Sequence, residues 1–316
     1  MKKLIIFCSL VFILAGPITS LAQTTGDYQS HQTGTWSNVS TWERYNGSSW
    51  VNPAPSYPIS TDGVITILNG HTVTVDVAIT MDQLVVATGG TLTTTGGVGF
   101  TISGSSNTIN GSFIITSSAS VNAGTINVNT GSLTLTSGSI SASNIIFDGT
   151  SSLSIPSGNG YNCTTTLIHS GTTTLSSPDL TGTMSAEVDV ASQDGGDPAA
   201  DLTIASGNNF TFNGDIKVRP TGTIDGPGTI TYSGSGGSLG FINNGVVNAD
   251  VKFQQAGGGS PKISATSTNT PVWNNIEIDD ADGVNGNSFA GTPTITINGT
   301  LTLTNGVFSL GAFPFM

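Results

Sequence analysis

Apolar and hydroxyl-bearing residues alternate in short runs along most of this chain. Typical runs are SLTLT at 132–136 and TLTLT at 300–304. Alternation with a period of two predicts strands that bury one face. Gly, Asn or Ser separates the runs, which return about every 8 to 13 residues, and no helical periodicity interrupts them.

Self-similarity on this scale is typical of stacked coils rather than of a single globular core. The pattern predicts an all-β fold, a right-handed parallel β-helix over residues 61–316 with coils of roughly 20 to 25 residues and about ten to twelve turns. The alternative is a row of tandem β-sandwich modules, which also place strands at this spacing. Disorder is the less favoured interpretation, because disordered segments lack regularly spaced β-branched residues.

Residues 23–60 differ from the repeats and are predicted to form an aromatic-rich N-terminal cap. Five aromatic residues lie close together in this segment: Trp36, Trp42, Tyr45, Trp50 and Tyr57. Capping the apolar column of the first coil would protect an open sheet edge. The alternative is that Trp36, Trp42 and Trp50 stack on sugar rings as glycan-binding platforms.

Part of the chain resembles a known group of proteins. The resemblance covers about residues 27–95 and rests on WSN at 36–38, STW at 40–42, DGVITI at 62–67, NGHTVTV at 69–75 and GGTL at 89–92. These motifs resemble the opening of secreted Bacteroidota surface proteins, and the segment is similar to a G8-type module. The resemblance implies an adhesin-like parallel β-helix exported by the type IX system. Those relatives end in a β-sandwich sorting domain, which this sequence lacks, so we expect a C-terminal truncation.

The first 22 residues are predicted to be a signal peptide. Lys2 and Lys3 precede an apolar stretch at 4–15, and Ser-Leu-Ala at 20–22 forms a small-x-small cleavage site. No later apolar run reaches membrane-spanning length. The sequence therefore predicts a secreted or cell-surface protein without a transmembrane segment.

The charge balance narrows the choice of partners. All 19 acidic residues follow the predicted signal, against five of the seven basic ones, which gives a net charge of −14 (5 − 19). Such a chain repels nucleic acid, so none is predicted as a partner. Cys163 is the only cysteine after the signal, which excludes an internal disulfide, and we interpret it as a small buried side chain.

One charged strand deserves comparison with catalytic sites. Alternation places Asp215, Lys217 and Arg219 on one face, and the following Ile224-Asp225-Gly226 phrase is faintly similar to pectin-active β-helix enzymes. A solvated strand face explains the same charges, and a second carboxylate pair with a histidine is not visible nearby. We therefore predict that the protein is not an enzyme. His31, His71 and His169 lack metal-ligand spacing and are interpreted as structural.

Two acidic segments and one hydroxyl pattern raise binding hypotheses. Asp279, Asp280 and Asp282 form one candidate calcium site, and Asp194, Asp197 and Asp201 form another, although a solvated loop explains both. No other cofactor is predicted. Thr-x-Thr triplets such as 72–74 and 91–93 raise ice binding, but scattered Gly and Asn are expected to break the file.

Together these observations predict an exported structural or adhesin-like protein, a β-helical stalk whose partners are extracellular glycan or matrix and other surface proteins. The alternatives are a carbohydrate-binding accessory module of a longer enzyme and a β-helix enzyme that acts on polysaccharides.

Overall fold

The computed structural model describes residues 23–104, 107–116, 118–157, 160–191, 198–234, 240–255, 260–265, 270–289 and 294–309, with backbone only for 287–289. Residues 1–22, the predicted signal peptide, and Asp194 and Asp197 of one predicted calcium site lie outside this set. Within the described residues, every regular element is a β-strand except one 3-10 turn at Val39–Thr41.

The strands stack into three ladders that wind around a common core. Strands of the first ladder are Val64–Ile67, Gln83–Val86, Asn107–Ile109, Ser120–Val128, Ser139–Phe147, Gly160–Ile168, Glu187–Val190, Ile216–Val218, Phe241–Asn243, Lys262–Ala265, Val284–Phe289 and Phe308–Ser309. Strands of the second ladder are Gly34–Thr35, Thr72–Val75, Thr91–Thr94, Ser112–Ile115, Ser132–Leu135, Thr150–Ser154, Gly171–Ser176, Ala200–Ile204, Gly222–Asp225, Val246–Val247, Val272–Trp273 and Thr296–Ile297.

The third ladder has two parts. Its first strands are Ile79–Met81 and Gly99–Ile102, continued by the N-terminal ends of the three nine-residue strands that also serve the first ladder. A separate six-stranded sheet forms the rest: Thr181–Met184, Asn209–Phe212, Thr229–Tyr232, Asp250–Phe253, Ile276–Asp279 and Leu301–Asn305.

The coils confirm a parallel β-helix of about ten turns. From Val64 to Ser309, every strand pairing that the structure describes is parallel and joins one coil to the next. The step along the first ladder is 19 residues from Ile65 to Leu84 (84 − 65) and 28 from Val188 to Ile216 (216 − 188). Tandem β-sandwiches need antiparallel Greek-key pairing, so that alternative is wrong.

The core is a continuous apolar column, because every second residue of each strand points inward. In Val64–Ile67 the buried residues are Ile65 and Ile67, and the same in-out pattern recurs in most later coils. Asn107 takes an inward position, and its amide is satisfied by Leu84 N at 3.0 Å and by the carbonyl oxygens of Gly104 and Thr125 at 2.7 and 3.0 Å. A buried amide with its hydrogen bonds made does not weaken the column.

The N-terminal segment forms the cap that its aromatic composition predicts. Tyr28–Ser30 pairs in parallel with the first coil and antiparallel with Trp42–Tyr45, which in turn pairs with Trp50–Val51. Gly34–Thr35 begins the second ladder against Val73 and Thr74. The cap therefore covers the strand edges of the first coil with its own strands.

The Asn69-Gly70 dipeptide forms a tight turn but not a hairpin. Gly70 has a φ of +77°, a conformation that favours glycine. The strands on either side, Val64–Ile67 and Thr72–Val75, pair with later coils in different ladders and not with each other. The turn is a corner of the coil, since inward side chains on both strands bury together only when the chain bends around the core.

Candidate binding surfaces

Two of the three tryptophans predicted as glycan platforms are core residues. Trp36 and Trp42 are fully buried, and their rings lie 4.7 Å apart, edge to face. Trp36 Nε1 donates to Pro58 O at 3.1 Å, and Trp42 Nε1 donates to Trp36 O at 2.8 Å. Trp36 also contacts Phe100 in the core, 6.1 Å between ring centroids. Because both rings are enclosed, the sugar-stacking hypothesis is wrong for Trp36 and Trp42, and both serve as capping residues.

Trp50 differs from the other two because it is only half-buried. It stands beside Tyr45, with 5.4 Å between the ring centroids, on the antiparallel pair that joins Trp42–Tyr45 to Trp50–Val51. A partly open aromatic ring retains the apolar face that a sugar needs. Of the three predicted platforms, Trp50 alone stays a candidate for stacking.

The charged strand at Ile216–Val218 is neutralised by the preceding coil. Arg219 donates two hydrogen bonds to the fully buried Asp189 at 2.8 and 2.5 Å, and Lys217 reaches Glu187 at 2.6 Å. Both bases are therefore committed to ion pairs between adjacent coils. Asp225 is exposed and accepts from the Gly226 backbone at 2.7 Å.

Asp279 and Asp280, in the acidic segment at 279–282, have different structural roles. Asp279 faces outward and pairs with Lys252 at 2.7 Å. Asp280 is buried and accepts backbone N–H groups of Gln255 and Asp282 at 2.8 and 3.0 Å, which fixes a turn. Among the described residues, no three His, Cys, Asp or Glu side chains gather as ligands for a metal ion. The calcium hypothesis for Asp279, Asp280 and Asp282 therefore gains no geometric support.

Two of the histidines and the free cysteine make contacts within the fold. His71 lies beside the Ser30 hydroxyl at 2.8 Å, and His169 pairs with Asp148 at 2.6 Å, one coil apart. Cys163 is buried and donates to Thr165 O at 3.0 Å, and burial raises the pKa of its thiol. A buried thiol with a raised pKa is a poor nucleophile.

A polar groove lies on the outer face of the third ladder and is here called the third-ladder groove. It has a volume of about 410 Å³ and spans four neighbouring strands, from Thr229–Tyr232 to Leu301–Asn305. The residues that line it are Thr229, Asp250, Val251, Lys252, Asn275, Ile276, Glu277, Thr300 and Thr302. Alternation turns Asp250, Lys252 and Glu277 outward while Val251 and Ile276 face the core.

Stacking of the coils brings these polar side chains together. Lys252 is the register partner of Thr231 on one side and of Glu277 on the other, and Glu277 is the partner of Thr302. Lys252 Nζ lies 3.5 Å from Glu277 and 2.7 Å from Asp279. Residues that are 25 positions apart in sequence thus form one cluster because each coil adds one layer.

Hydrogen bonds hold the cluster in a defined geometry. The Asp279 hydrogen bond, helped by the charge of Glu277, raises the pKa of Lys252 and keeps its ammonium group charged. The amides of Asn274 and Asn275 donate to Asp250 Oδ1 at 3.2 and 2.7 Å, and Thr304 donates to Glu277 at 2.9 Å.

The chemistry of this groove suits hydroxyl-rich ligands. Carboxylates accept two or more hydrogen bonds each, the lysine and amides donate, and the threonines do both. Asp250 and Thr302 are exposed, whereas Lys252 and Glu277 remain partly open. The groove therefore presents unused donors and acceptors on a surface that strand pairing keeps rigid.

No family model, no curated protein and no solved structure matches the chain. No helix among the residues described is long and apolar enough to cross a bilayer.

Proposed function

We propose that the protein is an exported, secreted or cell-surface stalk of the adhesin-like kind, which contacts extracellular glycans or matrix through its polar outer faces. The observation that carries the proposal is the third-ladder groove, where Asp250, Asn275 and Glu277 form an open, rigid and polar surface. The signal-like segment at 1–22 supports export, and the repeated coils supply length.

The proposed activity is binding without turnover. The bases of the most charged strand, Lys217 and Arg219, are engaged with Glu187 and Asp189 in the coil before them. In the third-ladder groove, Lys252 is held charged by two carboxylates. A charged lysine cannot abstract a proton as a general base, which favours recognition over acid–base chemistry.

A binding experiment with matched variants tests this function. Purified protein is applied to an array of extracellular glycans, and Glu277→Gln is compared with Asp201→Asn, which removes one outward carboxylate from the second ladder. We expect Glu277→Gln to weaken retention about tenfold, the effect of losing one charged hydrogen bond of roughly 1.4 kcal/mol, and Asp201→Asn to bind normally. The proposal fails if no glycan is retained.

Catalysis is checked on the same protein. Incubation with pectins, alginates and neutral polysaccharides should release no shortened products. Product release that disappears in Asp225→Ala or Glu277→Gln would replace the stalk by a polysaccharide-active enzyme.

A further inference from the structure

A second groove, on a different face, has a different composition. It lies along the second ladder and the corner that precedes it, has a volume of about 480 Å³, and is called the second-ladder groove. Its lining includes the outward strand residues Ser112, Ser132, Ser152 and Thr174, here called its floor, and the corner residues Asn110 and Thr130. All residues that line it are uncharged.

The floor is a regular file along the axis of the solenoid. Ser112 is in register with Ser132, Ser132 with Ser152, and Ser152 with Thr174. Each step equals one strand spacing of about 4.8 Å, so the four hydroxyls extend over about 14 Å. Ser132 Oγ donates to Ser112 Oγ at 3.1 Å, which aligns neighbouring hydroxyl groups along the file.

Glycines let the coils stack closely at the corner beside this groove. A Cβ on Gly131 would stand 2.2 Å from Gly111 O, and one on Gly111 would stand 2.2 Å from Gly90 O. The corner therefore stacks backbone on backbone. The sequence-based expectation that scattered Gly and Asn break the hydroxyl file is wrong here, because they occupy the corner and leave the floor continuous.

The lining decides the class of ligand. A hydroxyl group both donates and accepts hydrogen bonds, and a wall without charge offers no counterion to an acidic or basic polymer. Equivalent hydroxyl groups repeated from coil to coil match a ligand that is itself repetitive and rich in hydroxyl groups. A single small molecule would use one layer and leave the others empty.

We propose that the second-ladder groove binds a linear, uncharged polysaccharide, with the chain lying along the solenoid axis. The inference rests on the proposed glycan-contact function but adds a site, and a ligand class, that the third-ladder groove does not require. The two sites are on different faces and can be disabled separately.

The test uses purified full-length protein and affinity electrophoresis in gels that contain soluble dextran, xylan, mannan or hydroxyethylcellulose, with alginate as the charged polymer. Ser132→Arg places a long side chain across the floor, and Ser152→Gln does so with a smaller, uncharged one. Thr223→Arg is the matched control, since it faces outward on the same ladder beyond the groove. Circular dichroism and thermal melting establish that each variant is folded.

We expect the wild type and Thr223→Arg to be retarded by at least one neutral polysaccharide, and Ser132→Arg and Ser152→Gln to lose about tenfold in affinity. Retardation that survives in both groove variants but is lost in Glu277→Gln overturns this inference and leaves the proposed function in place. If no polysaccharide retards the wild type, both are overturned. Freezing-point hysteresis that Ser132→Arg abolishes, without polysaccharide binding, would assign the file to ice instead.

Discussion

The two halves of the solenoid share the same three-ladder coil but differ in how the third ladder connects to the first. In the N-terminal half, residues 64–176, three nine-residue strands run from the third ladder into the first with a single register gap at the corner. In the C-terminal half, residues 181–309, the third ladder is a separate sheet. Separate connections join its strands to the first ladder, the longest being the eight-residue segments 233–240 and 254–261.

The cores of the two halves also differ. In the C-terminal half, Tyr232, Phe241, Phe253 and Trp273 form one ring cluster with centroids no more than 6.2 Å apart for each contact. In the N-terminal half, the aliphatic residues Ile126 and Ile145 occupy the file that contains Phe241. Because protein interiors are packed without voids, the space around this file must match an aliphatic side chain in one half and a ring in the other.

Charge is distributed just as unevenly. The N-terminal half contains three acidic residues, Asp76, Asp82 and Asp148, and no lysine or arginine. The C-terminal half carries ion pairs between coils, including the one between Arg219 and the buried Asp189. One half thus offers a neutral hydroxyl surface and the other a charged one, which is why the two grooves differ.

The aromatic cluster gives the largest expected effect. Phe241→Ala removes the ring that contacts Tyr232, Phe253 and Trp273 and leaves a cavity at the centre of the cluster. We expect a loss of about 3–5 kcal/mol in the free energy of unfolding, measured by denaturant titration. Thr302→Ala, an exposed change in the same half, should cost less than about 0.5 kcal/mol.

The reciprocal substitution sharpens this prediction. Ile145→Phe inserts a ring into the aliphatic part of the same file and should cost about 1–3 kcal/mol through overpacking. If Ile145→Phe were neutral, the N-terminal half would have room for a ring at this position, and side-chain size would not distinguish the two cores.

The ion pair between Arg219 and Asp189 gives the next largest expected effect on stability. Arg219→Met removes two hydrogen bonds from a carboxylate that is fully buried. We expect a loss of about 3 kcal/mol, at the lower end for broken buried pairs because Arg219 itself is partly exposed. Hydrogen exchange should locate the opening in the coils around Val188 and Ile216. Lys217→Met, which breaks the more exposed neighbouring pair, should cost less than about 1 kcal/mol, and equal losses would contradict the prediction.

A glycine of the neutral half tests the tight corner. Gly131→Ala places a Cβ 2.2 Å from Gly111 O, a backbone atom that cannot swing aside. We expect a loss of about 2 kcal/mol in thermal or chemical unfolding. Gly99→Ala is the control, since a Cβ there meets nothing within 4 Å. A tolerated Gly131→Ala would mean that the corner can widen.

Asp76 gives the smallest effect, one that depends on pH. Burial alone would raise its pKa, but hydrogen bonds from the Ser37 hydroxyl and backbone N–H outweigh it and leave the pKa below its usual value. The stabilisation is therefore complete above the unfolded pKa of about 3.9 and disappears as the pH falls through the lower folded value. Asp76→Asn should cost on the order of 1 kcal/mol at pH 7 and less as the pH falls through the folded pKa. A difference in melting temperature that does not shrink as the pH is lowered below about 3.9 would contradict this.

The sequence predicts the coil but not the neighbours that each coil brings together. Period-two alternation is a local property, so strands such as Val64–Ile67 and their buried residues follow from it directly. The third-ladder groove depends on Lys252 meeting Glu277, and the step between coils varies from 19 to 29 residues. No fixed period gives that pairing. The one available signal was the outward charge on two adjacent coils, at Asp250-Val251-Lys252 and Glu277-Ile278-Asp279.

The N-terminal cap shows the same limit. Composition marks Trp36 and Trp42 as unusual but does not distinguish an exposed sugar-binding ring from a buried capping ring, because both uses need a large flat ring. Their indole N–H groups decide it in the structure by donating to Pro58 O and Trp36 O inside the cap.

The parallel register also determines how the molecule responds to tension. Hydrogen bonds between coils run along the axis, so a pull on the two ends loads one coil boundary at a time instead of all of them together. We expect the coils to peel one at a time from an end, each releasing about 19 to 29 residues, or roughly 65 to 100 Å of extended chain, before the next boundary is loaded. A tether built this way lengthens in steps and dissipates work at each one, so a bond at its far end is spared the peak force.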